Sequence, residues 1–325
     1  MRPKQYVCGR AAKPIRIDGS LSDPQWKSAL WTDDFVDIEG DAKPKPRFRT
    51  RAKMLWDDVN FYIGAELEEP DVWATLTERD SVIFQDNDFE VFIDPNGDNH
   101  NYYEFEINAL NTGWDLRLPI PYKDGGSAIN AWDIEGILTA VHIDGKLNDA
   151  KSKDKGWSVE IAMPWKSLAE FAGCPCPPNH GDLWRLNFSR VEWHVDVLNG
   201  EYRKRPKTPE DNWVWSPQGV VDMHRPERWG YLQFTNDDPK VTPLKLDESY
   251  DSRELLYPVY YAQRRHFEQH KKWATSFEEL GLRGEKLKLE TAGEGFVVWT
   301  VFRSASGSNM KVSIRQDSLV QLERM

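Results

Sequence analysis

Apolar and polar residues alternate with a period of two along most of the first two thirds of the chain, most clearly between Asp86 and Asp115. Phe89, Val91 and Ile93 share one parity and Asp88, Glu90 and Phe92 the other, so the two sets occupy opposite faces of one strand. After Asp94-Pro95-Asn96-Gly97-Asp98, a turn sequence, Tyr103, Phe105, Ile107 and Ala109 repeat the apolar parity and Glu104, Glu106 and Asn108 the polar one. The pattern predicts an antiparallel hairpin. Glu90, Glu104, Glu106 and Asn108 then share a polar platform turned away from the core. Facing Cβ atoms on neighbouring strands stand about 5 Å apart, so carboxylates crowded there repel one another unless a ligand, a cation or a cationic side chain joins them. The plain alternative is a solvated sheet face.

The same period recurs along the chain. Ile15 to Ala29 reads as a short strand, an Asp18-Gly19 turn and a helical turn that starts at Asp23-Pro24 and buries Trp26 and Ala29. Strands are predicted over 48–56 and 61–67, followed by an irregular loop, 68–85, that holds Trp73, Arg79 and Phe84 and is long enough to be functional. Trp114, Leu116 and Leu118 are predicted to face the core, with Asp115 and Arg117 turned away. Further strands fall at 134–143, 157–163 and 184–188, the last placing Arg185, Asn187 and Ser189 on the second face. A polar loop, 194–209, precedes a closing strand at 229–234. No amphipathic helix interrupts this series. The expected fold is mainly β, an antiparallel β-sandwich of jelly-roll or immunoglobulin-like type over residues 1–235.

Past a linker at 236–250 the period changes, because Leu256, Val259, Tyr260 and Phe267 fall at helical spacing. Thr275 and Glu278 form a capping-box pattern for a second short helix over 276–280. Strands at 286–290, 296–302 and 311–319 complete a small α+β domain, 251–325.

A chain of 325 residues is long enough for two domains with real cores. Its net charge of −11 argues against a nucleic-acid partner, and the basic run Arg47, Arg49, Arg51, Lys53 alternates like a strand face. There are 15 Trp, all but Trp273 and Trp299 before Thr235. Some must be core, but flat aromatic faces also stack on sugar rings. Cys8 stands alone, and Cys174-Pro175-Cys176 is too tight for an ordinary structural bridge. No zinc spacing occurs, and no apolar run is long enough to span a membrane. The first residues lack an apolar signal core, which fits either a cytoplasmic protein or one whose export signal has been removed.

Several segments together resemble the family 9 carbohydrate-binding modules: Ile17-Asp-Gly-Ser-Leu-Ser-Asp-Pro-Gln-Trp-Lys-Ser-Ala29, Asn60-Phe-Tyr-Ile-Gly-Ala65, Asn87-Asp-Phe-Glu-Val-Phe-Ile-Asp94, Gly156-Trp-Ser-Val-Glu-Ile-Ala-Met-Pro-Trp165, Leu186-Asn-Phe-Ser-Arg-Val-Glu192, Trp213-Val-Trp-Ser-Pro217 and Trp229-Gly-Tyr-Leu-Gln-Phe234. The resemblance covers roughly Pro14 to Thr235. It implies a non-catalytic sandwich that grips a carbohydrate ligand between two aromatic side chains above polar residues, in an extracellular or periplasmic setting of polysaccharide use. By family position Phe84 and Trp215 are the two aromatics and Glu90 the floor carboxylate. A cationic family position falls on Glu106, near Asn108, and a family amide falls on Ser189. Those two departures change which hydroxyls can be paired. Arg190 or Arg117 could supply the missing cation, or form a salt bridge to a nearby acid. The segment from Tyr260 to Leu280 resembles the part of type IV pilins and pseudopilins that follows their membrane helix.

The resemblance implies no cofactor beyond a structural calcium in some members. Asp94, Asn96 and Asp98 alternate like calcium ligands, but a hairpin turn uses the same residue types and the later glutamate of a calcium loop is missing. His100, His142, His194 and His224 show no paired metal spacing. Two further readings remain on the same sandwich. One is a haem-type binder using Met54, Met163 or His194. The other is a glycoside hydrolase using Glu90 and Glu106, for which only the loops 68–85 and 194–211 offer material for a cleft.

Overall fold

In the computed structural model, which describes residues 2–292 and 295–325, the chain separates into two compact units. One contains the residues up to Asn96, 101–118 and 128–244; the other gathers 97–100, 119–127 and 245–325. Among the described residues no helix is long and apolar enough to cross a membrane.

The strands of the first unit are β1 Gln5–Arg10, β2 Val36–Asp37, β3 Thr50–Trp56, β4 Asn60–Glu68, β5 Asp88–Asp94, β6 Tyr102–Asn108, β7 Gly113–Leu118, β8 Leu138–Asp144, β9 Gly156–Pro164, β10 Leu183–Glu192, β11 Val195–Leu198, β12 Glu201–Lys204, β13 Asp211–Val214 and β14 Gly230–Phe234, with a short helix α1 at Trp165–Leu168. They follow the order β7-β6-β5-β10-β14-β1-β3-β4-β9-β8, with β13 beside β10 and β2 beside β13, while β11 and β12 form a separate hairpin. The main path is antiparallel except at β1, which runs parallel to both β14 and β3 and so joins two antiparallel halves. The halves curl over one shared core: Val91, Phe105, Phe188 and Leu232 from one side meet Met54, Ile63, Val159 and Ile161 from the other. This is the expected β-sandwich. The joining strand itself has no sequence signature, because its middle residues Tyr6 to Gly9 are all buried and leave no alternation to read.

The segment from Ile15 to Ala29 forms no strand. Ala11, Ile15 and Trp26 instead cover Leu55, Tyr62 and Ala162 on the outer face of the β3–β4–β9 half. Glu160 of β9 fixes the segment by accepting hydrogen bonds from Asp18 N, Gly19 N and Trp26 Nε1, each at 2.7 Å. Gly19 sits at φ +82°, and a Cβ there would stand 2.6 Å from the carbonyl carbon of Val141, so the turn requires glycine.

The other half carries the feature that matters for function. On β7 the register pairs Glu106 with Trp114 and Glu104 with Leu116, so Trp114, Leu116 and Leu118 lie on the outer face and Asp115 and Arg117 on the inner one. This reverses the expected orientation of β7. The outer face of this half has an apolar cluster of its own, Phe92, Tyr102, Leu116, Leu118 and Trp229, so apolarity alone does not tell the two faces apart.

In the second unit one helix, α2 Tyr250–His270, packs on a four-stranded antiparallel sheet of β15 Lys288–Ala292, β16 Gly295–Arg303, β17 Asn309–Arg315 and β18 Val320–Arg324. Leu256, Val259 and Tyr260 meet Phe296, Val298, Val312 and Ile314. Pro258 lies inside the helix. Residues 276–280 form turns instead of the expected helix, and Thr275 bonds to Glu279 rather than Glu278. Strand β18 lies beyond the expected elements; its alternation is confined to Val320 and Leu322, and every side chain after Val320 is exposed.

Candidate functional site

Register places two rows of side chains across the outer face of β10, β5, β6 and β7. One row reads Ser189, Glu90, Glu106, Trp114, and the next reads Asn187, Phe92, Glu104, Leu116. Asp88 continues the acidic set, opposite Asn108. Alternation predicted this carboxylate platform, but its surroundings differ from a solvated face: Asp88, Glu90, Glu104 and Glu106 are 0%, 6%, 5% and 2% exposed.

Removal from water disfavours the charged forms, and mutual repulsion adds to this. Burial pushes Glu90 up to about 7, and burial together with the Glu90 charge pushes Glu104 up to about 8. Asp88 and Glu106 are raised as well, by burial first and then by Glu90. One oxygen each from Asp88, Glu90 and Glu106 lie within 4.8 Å of one another.

Three half-buried aromatic rings border these acids. Trp114 ends the first row. Phe84, in a short 3-10 turn before β5, donates its N–H to Glu106 Oε2 at 2.9 Å. Trp193, just past the end of β10, donates Nε1–H to the carbonyl of Phe84 at 2.9 Å and its backbone N–H to Asn87 Oδ1 at 2.7 Å. Lys204, at the end of β12, holds its ammonium 3.6 Å from the centre of the Trp193 ring and donates to Gln85 Oε1 at 3.2 Å. The turn at Phe84 is pinned from beneath by Asp86, which accepts from Thr75 N, Thr75 Oγ1, Leu76 N and Asn108 Nδ2.

The structure thus brings Phe84, Glu90, Glu106 and Ser189 together and disperses the other expected site residues. Trp215 is 1% exposed and packs in the inner core against Phe188, leaving no open ring face for stacking. Arg190 has the opposite parity to Ser189; its buried guanidinium is held by Glu69, Glu192, Thr50 Oγ1 and the carbonyl of Glu68. Arg117 faces inward over Phe171 and bonds Asn101, so neither arginine can reach Glu90. Asn108 stands beside the acids, but its amide donates to Leu76 and Asp86 and its oxygen accepts from Leu110 and Thr112. Asn187 is spent in the same way on Ser216 and Phe188.

Met54 and Met163 lie in the closed core, and His194 faces Asp211 at 3.4 Å. In the expected calcium-like turn, Asp98 Oδ1 accepts the N–H of His100 at 2.8 Å, as a turn residue does.

The sequence reasoning missed Trp193 and Lys204, which fell in or beside a segment read as a polar loop. The available signal was a tryptophan directly after a buried strand, followed by the Asn199-Gly200 turn of the β11–β12 hairpin.

A β-sandwich with a polar, aromatic-edged outer face is an architecture of ligand-binding modules. Residues 17–176, just under half of the chain, match the model of the family described as carbohydrate family 9 binding domain-like. The chain is 25% identical over 173 residues to exoglucanase XynX of Acetivibrio thermocellus, covering 53% of this chain and 13% of that protein. It is 25% identical over 144 residues to endo-1,4-beta-xylanase C of Paenibacillus barcinonensis, covering 43% and 12%. The chain therefore spans about an eighth of the length of these relatives. Among solved structures it resembles a family 9 module from Caldicellulosiruptor kristjanssonii in complex with cellotriose, with a TM-score of 0.46, 16% identity and coverage of 75% of this chain and 100% of that one. A putative carbohydrate-binding protein from Bacteroides uniformis ATCC 8492 gives a TM-score of 0.49, 16% identity and coverage of 71% and 99%.

Proposed function

We propose that the first unit binds a carbohydrate on the outer face of the β5–β6 hairpin and performs no chemistry on it. Phe84 and Trp193 supply the aromatic surface, and Glu90, Glu106 and Ser189 accept hydrogen bonds from sugar hydroxyls. The family match over residues 17–176 carries the reading. What supports this location is the pairing of half-buried rings with carboxylates that have few donors of their own. The relatives are named as an exoglucanase and a xylanase, so β-1,4-linked glucan and xylan oligosaccharides are the first probes, and the protein's place of work is outside the cytoplasm, in polysaccharide use.

Calorimetric titration of the full chain with glucose, cello-oligosaccharides and xylo-oligosaccharides tests the proposal. Losing one stacking face costs about 1–3 kcal/mol by analogy with stacking on other planar ligands, so Trp193→Ala and Phe84→Ala should each weaken binding roughly five- to hundredfold with the fold intact. Undiminished affinity in both variants would remove the site from this face. Release of reducing sugar, lost in Glu106→Gln, would favour the hydrolase, and a Soret band in the purified protein would favour the haem reading.

A further inference from the structure

Other buried carboxylates of the first unit show how this protein normally satisfies such groups. Glu160 accepts from Asp18 N, Gly19 N and Trp26 Nε1. Asp86 takes four donors, Asp115 takes Arg79 and Ile134 N, and Glu69 takes Arg190 and Asn87. The outer-face acids are different. Asp88 spends Oδ1 on the N–H of Val191, at 3.0 Å, while its Oδ2 is fully buried with no hydrogen-bond donor. Glu104 Oε2, in a side chain of similar burial, also lacks one. Among the described residues no Lys or Arg forms an ion pair with Asp88, Glu90 or Glu106. The nearby ammonium, Lys204, is committed to Gln85 and the Trp193 ring.

A buried carboxylate oxygen without a donor costs stability unless something positive meets it. We propose that Asp88, Glu90 and Glu106 bind a divalent cation of the calcium type, with Glu104 bordering the site. The three ligand oxygens lie within 4.8 Å of one another, which fits a shell of oxygens each about 2.3–2.6 Å from a common ion. The donor set is all carboxylate oxygen with no imidazole or thiolate, which selects calcium, magnesium or manganese over zinc and copper. Three converging carboxylates favour calcium over magnesium, which keeps several waters and usually takes one or two. The acidic group Asp80, Asp115 and Asp133 is a useful contrast: it is similarly tight, but Arg79 already bridges Asp115 and Asp133.

The inference shares Glu90 and Glu106 with the carbohydrate reading but is tested apart from it, because metal binding can be measured with no sugar present. The full chain is stripped with a chelator, dialysed and titrated with calcium chloride by calorimetry. Melting curves are recorded in parallel, and terbium luminescence is excited through tryptophan. The expected result is one saturable calcium site that raises the melting temperature, with weaker binding of magnesium. Terbium emission should be displaced by calcium, and binding should be lost in Asp88→Asn and Glu106→Gln but retained in Asp133→Asn. Absence of calcium heat, of terbium emission and of any melting shift in the unmutated protein at millimolar calcium would overturn the proposal whether or not the variants fold. So would undiminished binding in both Asp88→Asn and Glu106→Gln, which would place the ion elsewhere.

Discussion

Two neighbouring regions of the outer sheet face are buried to nearly the same depth and differ in everything else. At one end Phe92, Tyr102, Leu116, Leu118 and Trp229 are at most 1% exposed and pack on one another; at the other Asp88, Glu90, Glu104 and Glu106 are at most 6% exposed and crowd like charges together. Phe92 and Glu90 are two residues apart on one strand. The apolar end gains from leaving water, about 1.5–3 kcal/mol for each large side chain. The acidic end loses by the same step, since desolvated carboxylates without donors are destabilising. Stability explains the first region. The second makes sense as a place kept for something that binds.

The largest effect belongs to the apolar end. Trp229 is fully buried, meets Phe92 at 5.5 Å and Tyr102 at 5.0 Å between ring centres, and anchors its Nε1–H on the carbonyl of Met223. Trp229→Ala should cost about 3–5 kcal/mol of unfolding free energy. Urea denaturation of the full chain measures it, and a loss under 1 kcal/mol would mean the cluster is not a packed core.

His224 marks the seam between the two ends. Its ring packs near Phe92 and Tyr102, Tyr102 Oη lies 3.0 Å from Nδ1, and Nε2 is 4.0 Å from Glu104 Oε2; Asp222 is the other charge acting on it. Burial lowers the imidazole from 6.5 to about 4 despite the opposing effect of Asp222. The folded state thus binds this proton less readily than the unfolded chain. The contribution is fully present above about pH 6.5 and is lost as pH falls through 6.5 toward 4, by up to a few kcal/mol. Glu90 and Glu104, raised to about 7 and 8, act in the opposite sense over this range, so the test is a difference: between pH 7 and pH 4 the melting temperature of the unmutated protein should drop relative to that of His224→Gln. Parallel curves would mean that His224 titrates normally.

How far the sequence revealed this face depends on which feature is asked about. Alternation on β5 and β6 put Glu90 and Glu106 on one side, and the hairpin then set them directly opposite each other. The period-2 rule also forbids Ser189 and Arg190 from sharing a face; Ser189 came from family position and Arg190 only as a replacement for the missing cation, and Arg190 forms the salt bridges that were its other expected role. For β7 the alternation was visible but its sense was not, because apolar Trp114, Leu116 and Leu118 could equally face a second apolar cluster. Trp215, assigned from family position, lies in the core just past β13, and an aromatic residue carries no local mark distinguishing a core ring from a binding ring. The apolar end is covered by Trp229 and Met223, and Glu104 lies beside His224, all more than a hundred residues away in sequence, and local patterning holds no record of that approach.

The smallest effect separates the two ends most sharply, because its sign should depend on what is bound. Glu106→Gln keeps the side-chain volume and the oxygen that accepts the N–H of Phe84, so little packing is lost. What disappears is one ionisable oxygen facing Asp88 and Glu90. In chelated protein the change should leave stability equal or raise it by about 1 kcal/mol, since it removes repulsion in a poorly solvated place. In saturating calcium it should make the variant less stable than the unmutated protein, which then gains linkage energy that the variant cannot collect. No substitution at Phe92 or Trp229 should show that reversal. Melting curves of the variant and the unmutated protein, with and without calcium, are enough to decide. A Glu106→Gln variant destabilised equally in both conditions would mean that this carboxylate is a structural group like Glu160, and the contrast between the two ends would then be one of composition only.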